Sequence, residues 1–301
     1  MVNSEPRSPV LADLHADAPS HSARRRVVRR LLRNGLGLSG LAIVLVITAL
    51  AVLAPVLAPY DPLEMQKGGQ FLPPSAIHLF GTDEFGRDIF SRTLYAGRIS
   101  LLAGAFAVAM AASIGAPLGL VAGYIGRLTD TVIMRTMDSL LAFPAVLLAL
   151  AVVAVLGPSS LNAMIAVAIV SIPNFARIAR AAMLTQKGTD YVEAARAIGS
   201  NDLRIVFRTI LPNALAPILV QITLAVAFAI LIEAALSFLG LGTQPPDASW
   251  GAMLLTGRSH LRRAWWYGFF PGLFITLLVL GLNNLGEALR DALDPTHQNH
   301  S

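Results

Sequence analysis

The sequence of 301 residues contains no cysteine. That excludes a disulfide framework and any thiolate-held metal, and it leaves the compartment open. Charge is scarce too. Asp, Glu, Lys and Arg make up 14% of the chain, against about 25% in soluble domains. No GxxxxGK[ST] string is present, which rules out nucleotide hydrolysis by a P-loop in this chain. No histidine falls inside a long apolar run, so buried haem ligation is excluded there. The net charge of +5 is spread through an apolar chain and forms no basic domain. It is better explained by the charge rule for membrane topology than by a nucleic-acid partner.

What the chain does contain is apolar sequence, 55% of its residues, with a mean hydropathy of +0.63. Such a composition belongs in a lipid bilayer. Residues 1 to 22 carry Pro6, Pro9 and Pro19 among small polar residues and read as a tail. Arg24, Arg25, Arg26, Arg29, Arg30 and Arg33 follow, and residues 36 to 58 are apolar for the ~20 residues a crossing needs. Ala49-Leu50-Ala51 resembles a signal-peptide cleavage site, but the run continues past it, which argues for a span. Six arginines before the first span predict a cytoplasmic N-terminus.

Further spans are predicted at about 99 to 124, 140 to 156, 161 to 175, 216 to 236 and 265 to 285. The expected fold is an all-α membrane protein with six transmembrane helices and both termini cytoplasmic. Arg258, Arg262 and Arg263 would then lie on the outer side, against the charge rule. The expected organisation is a basic tail (1 to 35), a first span with an external segment (36 to 98), a helical core (99 to 289) and a C-terminal tail (290 to 301). Gly115, Gly119 and Gly123 recur at every fourth position, a spacing that lets another helix pack closely. Asp83, Glu84, Arg87, Asp88, Arg92 and Arg98 read as paired charges in an interfacial segment, since no nucleophile or metal cluster accompanies them. Asn162, Ser171, Asn174, Gln221, Thr223 and Glu233 are the main polar residues within spans. Asn162, Ser171, Asn174 and Gln221 suit either a polar path or a neighbouring helix. Glu233, the one ionisable group there, is expected near the outer end of its helix, in reach of water.

One long stretch between spans is both amphipathic and charged. Tyr191, Ala194, Ala195 and Ile198 form a short helical stripe, and Leu203, Val206, Phe207 and Ile210 form a second. Gly199 stands between them, where a helix would end. Asp190 and Glu193 have capping-box spacing, Ser200 can cap the second helix, and Pro212 is expected to break the chain before the next span. Two such helices suit a groove on a soluble partner or the lipid surface equally well.

Glu193-Ala194-Ala195, three further residues, Gly199, and then Ile210-Leu211-Pro212 resemble the EAA loop of ABC importer permeases. One position departs: Thr209 stands where the general pattern has isoleucine, and Ile210 follows it. Glu233-Ala234-Ala235 with Gly240 imitates the motif, but four residues intervene and no Leu-Pro follows. HLFGTDEFGRDIFSR, LSFLGLGTQPPDASWG and LRDALDP resemble the dipeptide, oligopeptide and nickel permease group, specifically its second, shorter-looped subunit.

The resemblance implies a non-catalytic, multi-pass subunit in the bacterial cell membrane, with a permease core at 99 to 289 and a coupling loop at 185 to 215. It implies a second permease subunit, two cytoplasmic ATPase subunits and an external solute-binding protein as partners, with no cofactor here because ATP binds to the ATPases. Glu193, Ala194, Ala195, Gly199, Ile210, Leu211 and Pro212 would form the ATPase-coupling segment. Glu193 would cap its helix or pair with a basic group, and Leu203, Val206, Phe207 and Ile210 would anchor the second helix on the bundle. The implied cargo is a di- or oligopeptide, with nickel chelates, glutathione or antimicrobial peptides as alternatives. From a different class, a stand-alone channel or secondary carrier is the rival reading.

Overall fold

The computed structural model describes residues 34 to 293. The arginine cluster at 24 to 33, most of the basic tail and the last residues of the C-terminal tail lie outside that range. The described residues are helical, with no β-strand and one isolated bridge between Thr82 and Asp88. In chain order the helices are α1 (Gly35–Val52), α2 (Ala54–Leu57), α3 (Ile89–Ile125), α4 (Arg127–Leu141), α5 (Ala145–Leu156), α6 (Ser160–Lys187), α7 (Asp190–Ala197) and α8 (Asp202–Arg204). A π-helical turn (Ile205–Ile210) leads into α9 (Leu211–Phe238), followed by α10 (Trp250–Ser259) and α11 (Trp266–Leu293).

Five helices are long and apolar enough to cross a bilayer: α1, α3, α6, the continuous run Asp202–Phe238 and α11. The sixth candidate is a bent pair. Helices α4 and α5 meet at a 91° bend beside Pro144, which begins α5 from an extended conformation. A proline has no N–H to donate and holds the residue before it out of helical geometry. Helix α5 alone has 12 residues, about 18 Å, too short for a ~30 Å hydrocarbon core. The third span predicted at 140 to 156 is therefore corrected to a bent pair.

Other boundaries move as well. The first span ends at Val52, and Pro55 sits in the first turn of the separate short helix α2. The second begins ten residues before the predicted 99, because Asp88 caps α3 by accepting from the Ser91 N–H at 2.7 Å. The fourth continues past Phe175 to Lys187 with Pro173 inside it. Helix α11 continues past 285 to Leu293. Pro212 does not break the chain. The Leu211 N–H reaches back five residues to the Val206 carbonyl, and the missing N–H of Pro212 falls in the first turn of α9.

The bundle is held by close helix contact. Gly115, Gly119 and Gly123 lie against α6: a Cβ at Gly119 would sit 2.1 Å from the Ala176 carbonyl oxygen, and one at Gly115 would sit 2.5 Å from that of Ile172. Gly40 of α1 and Gly281 of α11 make a second approach of this kind. One apolar core joins α3, α5, α6 and α9 around Val167, Phe175 and Leu236. Another joins α1, α9, α10 and α11 around Trp250, Tyr267 and Leu278. Leu45, Leu102, Leu147, Val155 and Leu280 remain exposed on the spans, as side chains facing lipid do.

Glu233 does not reach water. It is 2% exposed, receives a hydrogen bond from Ser237 at 2.7 Å and lies 3.5 Å from the Ser100 hydroxyl. The segment after α9 folds back over this helix end. Gly242 packs against the Ser237 side chain and Gly251 against the Ala234 backbone, so closely that neither place has room for a Cβ.

Candidate functional site

The amphipathic stretch lies at the end of the bundle where α3 stops and α9 begins. Helix α7 starts from Thr189 rather than Asp190. Thr189 donates its hydroxyl to the Gln186 carbonyl at 2.6 Å, and no capping box forms. Helix α7 ends in a Schellman motif. Gly199 has φ +79°, its N–H donates to Arg196 at 2.9 Å, and the Ser200 N–H donates to Ala195 at 3.1 Å. Space is open around Gly199. It is glycine because of its backbone angle, which costs an ordinary L residue roughly 1–2 kcal/mol. The cap of α8 is Asn201, accepting from the Arg204 N–H at 2.9 Å, rather than Ser200.

The buried face keeps Ala195, Val206 and Ile210 of the predicted stripes but not the rest. Val192 is fully buried and enters a small core of Met183, Ile205, Ile210 and Ala214, with Ala195 and Val206 packed beside it. Ile198, Leu203 and Phe207 are 83%, 69% and 65% exposed. Leu203 and Phe207 therefore do not anchor the second helix. The π-turn widens the helix at this point, so Ile205 and Ile210, five residues apart, share the inward face. Val192, Met183 and Ala214 were missed from sequence. Val192 was the available signal, as the one aliphatic side chain in the DYVEAARA segment besides its alanines.

The sequence-predicted residues divide accordingly. Glu193 and Ala194 are exposed, Ala195 and Leu211 are half-buried, Ile210 is buried, and Gly199 and Pro212 are exposed. Among the described residues, the Glu193 carboxylate has no hydrogen bond or ion pair, so it is not a helix cap. Asn213 bridges Tyr191 of α7 at 3.3 Å and the Thr209 carbonyl at 3.1 Å. Tyr124, at the end of α3, donates to Asp202 at 2.5 Å, and its own carbonyl accepts from Lys187 at 2.5 Å. Arg180 makes a bidentate pair with Asp130 of α4 at 2.5 and 2.6 Å, and Arg177 pairs with Asp138 at 2.6 Å. The loop is thus tied to α3, α6 and α9 while its apolar outer side is left uncovered.

Within the spans, Ser171, Asn174 and Gln221 line one cavity of about 190 Å³ with Phe228. Ser171 also satisfies itself on the Val167 carbonyl at 2.8 Å. Asn162 is elsewhere, capping the turn before α6 through the Leu156 and Gly157 carbonyls, each at 2.9 Å. Among the described residues, no group of carboxylates and histidines could hold a metal ion.

Comparison with known proteins places this architecture. Residues 115–298 match the family of the binding-protein-dependent transport system inner membrane component. Residues 22–74 match the N-terminal TM domain of oligopeptide transport permease C. The dipeptide transport system permease protein DppC of Alkalihalophilus pseudofirmus is 46% identical, over 98% of this chain and 96% of that relative. The di/tripeptide transport system permease protein DppC of Pseudomonas aeruginosa is 48% identical, over 87% of this chain and 88% of the relative. The glutathione transport system permease protein GsiD of Pectobacterium atrosepticum is 45% identical, over 95% and 94%. The fold resembles a chain of the inward-facing MetNI methionine ABC transporter with a TM-score of 0.53 and 18% identity, over 65% of this chain and 93% of that one. The chain belongs to the ABC importer permeases, as a multi-pass inner membrane component of a binding-protein-dependent transport system.

Proposed function

We infer that this permease forms half of the path for di- and oligopeptides in an ATP-driven importer, and that residues 185 to 215 dock on a cytoplasmic ATPase subunit. The observation that carries the reading is the uncovered apolar patch of Ile198, Leu203 and Phe207 on a loop keyed by Val192 to the root of α9. A solvent-facing cluster of this kind at the end of a membrane bundle fits a groove on a soluble partner. The free Glu193 carboxylate would meet a basic group at its rim.

The helical run Asp202–Phe238 is continuous. A displacement of the docked loop is therefore a displacement of a spanning helix, carried to the far end of the bundle. ATP binding closes the ATPase pair, moves the loop and biases the bundle toward its outward-open state; hydrolysis and release reset it. Only a ligand with differential contacts to the two states can do this, and the ATPase supplies them. The loop and both termini lie in the cytoplasm on this reading, and α10 lies outside. The chain carries no catalytic residue and no cofactor, since ATP is held by two ATPase subunits. A second permease subunit completes the path, and an external solute-binding protein delivers cargo. The bilayer is the remaining partner, and nucleic acid has no part.

Relatives named for dipeptides and di/tripeptides support peptide cargo. Glutathione, itself a small peptide, is the second reading, favoured by the glutathione permease relative. The test is uptake of labelled dialanine into proteoliposomes holding the assembled transporter. Uptake is expected only with ATP, the ATPases and the binding protein. Uptake without the ATPases, driven by an ion gradient, would replace the importer by a carrier.

A further inference from the structure

At the end of the bundle opposite the loop lies a cavity of about 230 Å³, between the turn after α9, helix α10 and the segment entering α3. Four buried side-chain polar atoms among the described residues lack a hydrogen-bond partner, and three of them, on Glu84, Arg92 and Thr243, line this one cavity. The free atoms are Glu84 Oε2, Arg92 Nε and Thr243 Oγ1. Arg92 and Thr243 are only 5% and 6% exposed. Unpartnered buried polar groups are rare and call for a specific occupant.

The neighbouring groups are already committed. Arg87 donates to Asp83 at 2.6 Å and lies 3.5 Å from Glu84 Oε1. Arg92 Nη1 donates to the Pro62 carbonyl at 2.9 Å, while Arg92 Nε is 3.6 Å from Asp83, beyond hydrogen-bond reach. What remains is one guanidinium N–H, one carboxylate oxygen and one hydroxyl, with the Tyr267 phenol beside Glu84 in the same lining. The charged lining is balanced, with Glu84 and Asp247 against Arg87 and Arg92. Such a lining selects neither an anion nor a cation but suits a small molecule bearing both charges. The volume lies below the ~300–1,000 Å³ of sites for drug-sized ligands, which limits the occupant to one or two small residues.

We propose that this cavity is a subsite for a zwitterionic amino acid or small dipeptide, with the ammonium at Glu84, the carboxylate at Arg92 and Thr243 between them. The proposal deepens the peptide-import reading and rests on it for its biological sense: the subsite would hold cargo at the outer mouth. Its test is separate from transport. Saturation-transfer NMR would be recorded on the assembled transporter in lipid nanodiscs, without the binding protein, using dialanine and, as control, dialanine acetylated and amidated at its ends. Dialanine is expected to receive saturation and the capped form none. Glu84→Gln and Thr243→Val should each weaken the dialanine signal about tenfold, the scale of one lost hydrogen bond to a charged group. A dialanine signal retained in both variants, an equal signal from the capped form, or no signal at all would overturn the proposal and leave the cavity to water. ATP-driven uptake without this binding would remove the subsite and keep the importer. Binding without uptake would do the reverse.

Discussion

At one end of the bundle Ile198, Leu203 and Phe207 face outward around a glycine turn; at the other, Asp83, Asp88, Ser91 and Trp250 are buried. The second end is built like the interior of a soluble domain. Asp83 holds Arg87, and His78 lies 3.0 Å from Asp88. The Trp250 indole donates to the Thr93 carbonyl at 2.9 Å, and the Trp266 indole donates to Thr82 at 3.3 Å. The first end keeps its ion pairs on the surface, where each contributes little, and leaves large apolar side chains uncovered. A region with most of its polar groups paired inside holds its shape without a partner protein, and the free polar atoms of Glu84, Arg92 and Thr243 there line one cavity. A region with its apolar groups outside is what the proposed docking on an ATPase would cover. On the proposed reading the chain carries a fixed end and a docking end, joined by the continuous helical run Asp202–Phe238.

Substitutions can break that contrast by degrees. The largest effect is expected from Gly119→Val, which forces a side chain into the Ala176 backbone between α3 and α6. Overpacking of this kind costs about 3 kcal/mol or more, and the protein should be recovered in low yield and be readily cleaved by trypsin. Glu233→Ala comes next. It strips the partner from the buried Ser237 hydroxyl, for about 1–3 kcal/mol, and should lower the melting temperature in nanodiscs without removing ATPase binding. Phe207→Ser should leave stability within about 0.5 kcal/mol, because the ring is mostly exposed, yet reduce co-purification of the ATPase subunits. Glu193→Lys should reduce it less, through one rim charge. If Phe207→Ser melted the protein and left the ATPases bound, the two ends would not differ as described.

The spans were legible because lipid demands long apolar runs, and hydropathy reads these directly. Their ends were not, because long-range contacts set them. The first turns of α3 carry Arg92, which looks like a loop residue until the carbonyl of Pro62, thirty residues away, comes within 2.9 Å. Glu233 looked solvated because the fold-back of residues 239 to 251 is invisible to a helix-by-helix reading. In the loop, the turn at Gly199 was readable from local chemistry. On the inward face Val206 and Ile210 lie where a regular helical period puts them, but the π-turn replaces Leu203 and Phe207 by Ile205. Caps slipped by one residue, from Asp190 to Thr189 and from Ser200 to Asn201, the ordinary uncertainty of helix ends.

On the proposed reading, movement of the ATPase reaches the spanning run Asp202–Phe238 through the turn at Gly199. Gly199→Val tests it most directly, because open space surrounds the residue and only the backbone angle opposes a side chain there. In proteoliposomes with the partner subunits, the variant should insert and assemble like the wild type, while ATP-driven dialanine uptake and peptide-stimulated ATP hydrolysis both fall by about tenfold or more, as a strain of ~1–2 kcal/mol at the hinge requires. Wild-type uptake and stimulation by the assembled variant would rule out coupling through this turn.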